Sequence, residues 1–440
     1  MKQLFDVICK AIFPDLEADE HLGLSLGGEA STYVRINGAT IRQAGNVDEC
    51  DLGFNLIKEK KRATGSISLS GDESADVKRA RTELLRLRKE VTQLPDDPYL
   101  VIPNSKETSN SVQSGDLPEP EDIVAGLLPP MGEIDLTGIW ASGMVFRGSA
   151  NSAGGYHWFA SDSFSLDCSL ITAEERMVKA TFAGTEWDPK AYEAFLKDSV
   201  AKLEVMKLPP KKIAPGNYRT FIASAGVADV LGMFSWGGIS EASIRQGESA
   251  LGKMRNESIH LSKHFTLSED FSAGTTPRFN SNGEVAPLET VLIESGELKG
   301  TLVNTRTAKE YGIETNYADD EEGLRAPVMS SGELAEANVL KQLGTGVYLS
   351  NLHYLNWSDR MGGRITGMTR YACFWVEDGE IVAPIENMRF DDSIYNFLGE
   401  NLEAVTDKAL INPDVGTYEG RNLSSIVCPG ILLKSFALTL

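Results

Sequence analysis

At 440 residues the chain exceeds one ordinary domain, and the usual ~100–200 residues per domain predict two or three. Its 42% hydrophobic content supports real cores, while a formal charge of -21 argues against non-specific binding to nucleic acid or to an anionic membrane surface, since both need a positive field. Five cysteines (Cys9, Cys50, Cys168, Cys373 and Cys428) with no C-x-x-C pair fit neither a disulfide framework nor a structural zinc site, and point to a reducing, cytoplasmic setting.

The first residues, LFDVICKAIF, read as an amphipathic helix with Leu4, Ile8 and Ile12 on one face, because Asp6 and Lys10 interrupt any apolar leader. STYVRI and ATIRQ then flank Asn37-Gly38 as a hairpin, and DLGFNLI and TGSISLS flank a charged turn at Lys58 to Arg62, which predicts four strands. From Ser74 to Leu94 the residues Val77, Leu84, Leu87, Val91 and Leu94 recur at helical spacing, with Asp72 or Ser74 as N-cap and Pro95 as the stop. Lys78, Arg79, Arg81, Arg86, Arg88 and Lys89 on the other side read as a solvated helix face, since no aromatic residue accompanies them. These elements give an amino-terminal α/β module over 1–102.

Residues 103–133, rich in Ser, Pro, Asn and acidic groups, read as a linker with a short helix near Asp122 to Leu128. A middle strand-helix segment, 134–210, follows: strands at Thr137 to Arg147, Tyr156 to Leu170 and Arg176 to Phe182, then a helix started by Asp188-Pro189 and reaching Met206. A β-rich carboxy-terminal domain takes 211–440, opening with the strand YRTFIA and helices over Val227 to Trp236 and Glu241 to Met254. The predicted class is α+β, and no segment is long and apolar enough to cross a bilayer.

Gly346 to Phe390 interleaves strand-forming residues with many polar groups, and Asp378-Gly379 between YACFWV and IVAP marks a tight hairpin. Asn351, Asn356, Asp359, Arg360, Arg364, Thr366, Thr369 and Arg370 either read a polymer backbone along a cleft or form the wet face of an antiparallel sheet. Among enzyme signatures, H-E-x-x-H, the P-loop and G-x-S-x-G are missing. His260 and His264 could share a helix face at i, i+4 but lack a companion ligand, and Asp319 to Glu322 reads as a solvated turn rather than a calcium loop.

From Pro215 onward the order of PGNYRTFIASAGVADVLG, SIRQGESALGKM, FTLSEDF, TPRFNSNGEVAPLETVLIESGELKGTLVNTRTAKEYG and the Gly346 to Phe390 block resembles the TldD/PmbA proteins, also called modulators of DNA gyrase. STYVRINGATIRQAG followed by a long helix is similar to the family's amino-terminal module. The resemblance implies a cytoplasmic two-subunit zinc peptidase for unstructured peptides, in which one subunit carries an H-E-x-x-x-H helix and a distant cysteine and its TldE/PmbA-like relative lacks them. Matched to that pattern, the histidine positions fall on Gly232 and Gly237, the glutamate on Met233 and the cysteine near Tyr418, so this chain resembles the subunit without metal ligands.

The implied function is therefore a non-catalytic subunit that shapes the cavity around a partner's active site. It would bring no cofactor of its own, and zinc would sit in a TldD-like partner subunit. Extended peptides are the expected substrates, and a homo-oligomer stays open. Asn351, Asn356, Arg360, Arg364, Thr366 and Arg370 are the candidate cavity or interface residues, with Asp359 expected to hold one arginine by an ion pair. The alternative is a stand-alone peptide-binding protein of the same fold. An enzyme of unrelated chemistry using His260, His264 or the Asp359 region is the remaining option.

Overall fold

The computed structural model describes residues 1–440, with helices and strands segregated as expected of an α+β protein. The helices are α1 (Lys2–Ile12), α2 (Glu73–Val91), α3 (Ile123–Met131), α4 (Pro189–Met206), α5 (Ser224–Ser235), α6 (Glu241–Gln246), α7 (Gly252–Asn256), α8 (Thr305–Tyr311) and α9 (Val339–Leu343). In the first half the strands are β1 (Glu20–Asn37), β2 (Thr40–Lys58), β3 (Lys61–Ser68), β4 (Thr108–Gln113), β5 (Leu136–Asn151), β6 (Tyr156–Ile171) and β7 (Met177–Gly184).

These seven strands form one sheet in which β1 pairs with β2 on one side and with β5 on the other along most of its 18 residues. The segments 1–102 and 134–210 thus share a sheet, and residues 103–133 contribute β4, parallel to β6, and α3. Alternation explains the covering of this sheet. Leu22, Leu24 and Leu26 of β1 pack with α1 and α2, while Val34 and Ile36, two residues apart on the same face, pack with α3 and α4. Asp72 caps α2 by accepting from the Ala75 amide, and Asp188 caps α4 by accepting from the Lys190 amide. The basic side of α2 is largely neutralised within the chain, through Arg81 to Asp15, Arg86 to Glu83 and Glu90, and Arg88 to Glu20.

Two expectations shift here. Three strands, not four, separate α1 from α2, because β2 runs unbroken through Gly45-Asn46; the opposite strand holds this breaker-like pair, with Thr32 Oγ1 donating to Asn46 Oδ1 at 2.9 Å. The first hairpin turns on Gly38-Ala39, with φ of 59° and 50°, one residue later than Asn37-Gly38, since Asn37 still pairs with Thr40.

The carboxy-terminal strands are β8 (Gly216–Ile222), β9 (Leu267–Asp270), β10 (Glu289–Glu294), β11 (Glu297–Leu298), β12 (Pro327–Met329), β13 (Gly346–Leu349), β14 (His353–Asp359) and β15 (Arg364–Met368). They continue as β16 (Cys373–Glu377), β17 (Glu380–Pro384), β18 (Arg389–Ser393), β19 (Leu402–Val405), β20 (Leu410–Pro413), β21 (Ser425–Cys428) and β22 (Ile431–Leu438). One sheet runs β11-β10-β9-β12-β21-β20; the other runs β14-β15-β18-β22-β8-β13-β16-β17, with β19 on β22. The Asp378-Gly379 turn joins β16 to β17 with φ of 50° and 84°, the type I′ signature.

Helix α5 contributes to the largest hydrophobic cluster, which draws on both sheets, with Val227, Val230, Leu231, Met233 and Phe234 all buried. A helix apolar on nearly every side belongs inside a domain, and α5 sits there. The single helix expected over Glu241 to Met254 is two short ones, because Gly247 takes a left-handed φ of 78° and ends α6. His260 and His264 lie outside any helix, so they share no helix face. The acidic turn at Asp319 to Glu322 is not wholly solvated either: Glu322 is 1% exposed and accepts from Ser240 Oγ and from the Ala242 and Asn304 amides.

Two carboxy-terminal loops dock on the polar face of the first sheet. Arg421, buried, donates to Ser31 Oγ, to the Gly143 carbonyl and to Ser163. Nearby, Ser149 Oγ donates to the Ser281 carbonyl and the His157 ring stacks on Phe279 at 5.1 Å.

Candidate functional site

Strand β14 ends its sheet, so one edge is free of a neighbouring strand, and it runs antiparallel to β15 with Asn356 opposite Thr366 and Asp359 opposite Arg364. The turn between them is glycine-dependent. Asp359 Oδ1 accepts from the Gly362 amide at 2.9 Å, and a Cβ on Gly362 would stand 2.1 Å from Asp359 Oδ2. Asp359 therefore shapes a turn and makes no ion pair with an arginine, contrary to expectation; Arg364 is held instead by Asp391 of β18, whose Oδ1 accepts from Nε at 2.9 Å and Nη2 at 2.6 Å.

The remaining flagged residues divide by what they touch. Thr366 donates to the Phe390 carbonyl and Thr369 accepts from the Met388 amide, so both are spent inside the sheet. Arg370 Nη1 lies 3.0 Å from His353 Nε2; partial burial and then the Arg370 charge push this imidazole below its ordinary pKa, which leaves it neutral and able to accept. Asn351 and Asn356 make no side-chain hydrogen bond within the chain, and Arg360 has no ion pair. The Arg360 guanidinium lies over the Trp236 ring at 5.9 Å, and Trp357 Nε1 donates to the Trp236 carbonyl at 2.7 Å. The free edge of β14 is thus joined to the end of α5 by Trp236, Trp357 and Arg360, and Tyr354, earlier on the same strand, is 82% exposed.

At the opposite end of α5 a second cluster forms that the sequence reading missed. Ser224 Oγ donates to the Cys428 carbonyl at 2.7 Å and accepts from Asn412 Nδ2 at 2.9 Å, while Cys428 Sγ donates to the Ser224 carbonyl at 3.3 Å. Burial pushes the Cys428 thiol up to about 12, so it is neutral at physiological pH. One turn on, Asp229 Oδ2 accepts from the Leu352 amide at 3.0 Å. Asp229 keeps contact with water, yet the surrounding chain desolvates it enough to lift its carboxyl to about 6, against the lowering effect of that amide.

Position by position, the residues matched to metal ligands do not form a site. Gly232 has open space where a side chain would begin, Met233 is buried in the core, and Gly237 lies beyond the end of α5 with a φ of 78°. Positions 232 and 233 lie on α5 and 237 lies past its end, so one helix does not carry all three. Tyr418 is 89% exposed, whereas Cys428 touches the first turn of α5. No group of three or more His, Cys, Asp or Glu side chains stands close enough to hold a metal ion.

Residues 215–440 match the PmbA/TldA metallopeptidase C-terminal domain family. A search of curated protein sequences finds no significant match. Among solved structures, TldE from Thermococcus kodakarensis superposes with a TM-score of 0.77 at 15% identity, over 99% of this chain and 100% of that one. A modulator of DNA gyrase from Bacteroides thetaiotaomicron gives 0.76 at 16% identity over 100% and 98% of the two chains. One from Thermotoga maritima gives 0.75 at 14% identity over 99% of each.

Proposed function

Because the chain belongs to the PmbA/TldD metallopeptidase family, we propose that it is the TldE/PmbA-like subunit of a heteromeric zinc peptidase, shaping the chamber in which a TldD-like partner cleaves unstructured peptides. The observation that carries this reading is the cluster at the start of α5. There a distant cysteine, Cys428, meets the first turn of a helix that carries Ser224, Ala225 and Asp229. The donor chemistry there does not suit zinc. Ser224 Oγ is engaged by Asn412 and the Cys428 carbonyl, and Ala225 offers neither a ligand nor a base, so Cys428 has no histidine or carboxylate set around it to complete a zinc site. Asn412 and Ser224 instead tie α5 to β20 and β21.

In this assignment the partner supplies zinc, activated water and the general base, while this chain supplies walls and an edge for the substrate. The free edge of β14 suits an extended peptide, since main-chain hydrogen bonds bind without strong sequence preference and Asn356, Arg360 and Trp357 provide side-chain contacts. A cytoplasmic location fits the free, buried cysteines.

The test is affinity purification of this chain from its native cells under non-denaturing conditions, followed by intact mass, metal analysis and peptide-cleavage assays. A 1:1 complex with a zinc-bearing, H-E-x-x-x-H-containing partner, active only when both chains are present, is expected. Metal-dependent cleavage by the pure chain would overturn the assignment. A metal-free chain that binds peptides with no such partner would support the stand-alone binding protein instead.

A further inference from the structure

Beyond the other end of α5 from Ser224, α6 and α7 and the segment after β11 line an open cleft of about 500 Å³, within the range of small-ligand sites. Its charge runs against that of the molecule. Glu241 on α6 is 3% exposed and faces two guanidinium groups, Arg245 on the same helix and Arg255 on α7. The carboxylate is saturated: Oε1 accepts from Arg245 Nε at 2.7 Å and Arg255 Nη1 at 2.9 Å, and Oε2 accepts from Arg255 Nη2 at 2.7 Å and Thr301 Oγ1 at 2.6 Å. Two positive charges and one negative leave a net positive wall in a chain of formal charge -21.

Arg245 is the group with capacity to spare. Only its Nε is engaged within the chain, and its guanidinium is braced over the Tyr311 ring at 5.4 Å. Its two terminal nitrogens are therefore held in a fixed plane and unpartnered, on a side chain 42% exposed at the cleft. A guanidinium fixed by one carboxylate and one ring presents its outer edge for a planar, two-oxygen acceptor at little cost in lost side-chain freedom. Ile244, Val303 and Ile313 supply an apolar wall beside this charge.

We propose that this cleft binds a peptide carboxylate, with Arg245 gripping both oxygens and the Ile244, Val303 and Ile313 wall accepting the adjoining apolar side chain. The proposal rests on the peptide-handling reading above and adds a carboxylate-selective subsite to it. One excess positive charge and a rigid fork match a monoanionic carboxylate better than a dianionic phosphate.

Isothermal titration of the purified full-length chain tests this, using an N-acetylated Val-Leu dipeptide with a free carboxylate, the same dipeptide as its C-terminal amide, and inorganic phosphate. The acid should bind at least about tenfold more tightly than the amide, a difference of about 1.4 kcal/mol. Arg245→Gln, and independently Arg245→Lys, which keeps the charge but loses the fork, should bring the acid down to the affinity of the amide. Equal binding of acid and amide, no binding of the acid, tighter binding of phosphate than of the acid, or undiminished acid binding by folded Arg245 variants would each overturn the assignment. Because the titration needs neither partner nor zinc, it is separable from the subunit reading: acid-selective binding by a chain with no catalytic partner sinks only the latter, and a working complex without acid selectivity sinks only this proposal.

Discussion

The cleft of α6 and the interior beside β9 each hold a glutamate that is 3% exposed, and the two behave in opposite ways. For Glu241, burial alone would raise the carboxyl, but hydrogen bonds from Arg255, Thr301 and Arg245 outweigh it and hold the group at about 2. For Glu269, burial dominates and lifts the carboxyl to about 7; its Oε1 accepts only the Arg325 and Ala326 amides, at 2.8 and 3.0 Å, and its Oε2 has no partner. The Arg325 guanidinium leans over the Phe271 ring and gives Glu269 no side-chain hydrogen bond; its charge lowers the carboxyl, though by less than burial raises it, and Asp319 adds a repulsive charge. Both side chains are shut off from water alike, but Glu269 is the more deeply surrounded by protein and Glu241 the better supplied with donors, so depth and partners together determine which buried carboxylate stays charged.

Removing the charge from the well-paired site should give the largest effect. Glu241→Gln leaves Arg245 and Arg255 without their shared acceptor, and a loss of about 3 kcal/mol in urea unfolding is expected near neutral pH. The folded carboxyl lies below its unfolded value of 4.5, so its stabilisation is present above that pH and is lost as pH falls toward about 2. The cost of the substitution should accordingly shrink in acid. A cost unchanged between pH 7 and pH 3 would show that packing, not charge, is what Glu241 supplies.

At Glu269 the sign reverses. Its folded carboxyl lies above the unfolded value of 4.5, so the fold is favoured below that pH and penalised as pH rises through about 7. Glu269→Gln keeps an acceptor for the two amides and removes the charge. It should stabilise the protein by about 2 kcal/mol at pH 8 and by little at pH 5, given ~1.4 kcal/mol per pKa unit and some loss from imperfect amide placement. Unfolding midpoints at the two pH values check this, and a destabilised variant at pH 8 would mean that the Arg325 charge outweighs the cost of burying the carboxylate.

Neither contrast was readable from the sequence, and the reason is distance along the chain. Features set by neighbouring residues were legible: the Asp72 and Asp188 caps, the Asp378-Gly379 turn and the apolar stripe of α1 all depend on residues a few positions apart. The break expected between ATIRQ and DLGFNLI is absent because the facing strand β1 pairs with every residue between them. In the carboxy-terminal half the first strand, β8, pairs with the last, β22, which no local pattern encodes. The site followed the same rule. Arg364 stood out as a polar residue in a strand, but its partner Asp391 is 27 residues away and the nearer Asp359 was the natural guess. Ser224 and Cys428 are 204 residues apart, so their meeting at α5 needed the fold.

The finest probe of the comparison is Thr301→Val, which removes one donor from Glu241 and leaves both arginines in place. Thr301 is buried, and valine matches its shape, so the change isolates the 2.6 Å hydrogen bond to Oε2. A loss of about 1 kcal/mol is expected, smaller than that of Glu241→Gln because Arg255 still occupies the same oxygen. With one of its lowering partners gone, the Glu241 carboxyl should rise toward its ordinary value, so the stability of the variant should begin to fall at a higher pH during acid titration than that of the parent. If the two acid transitions coincide, the guanidinium groups alone hold Glu241 charged, and the difference from Glu269 reduces to direct hydrogen bonds from arginine, which Arg325 does not give Glu269.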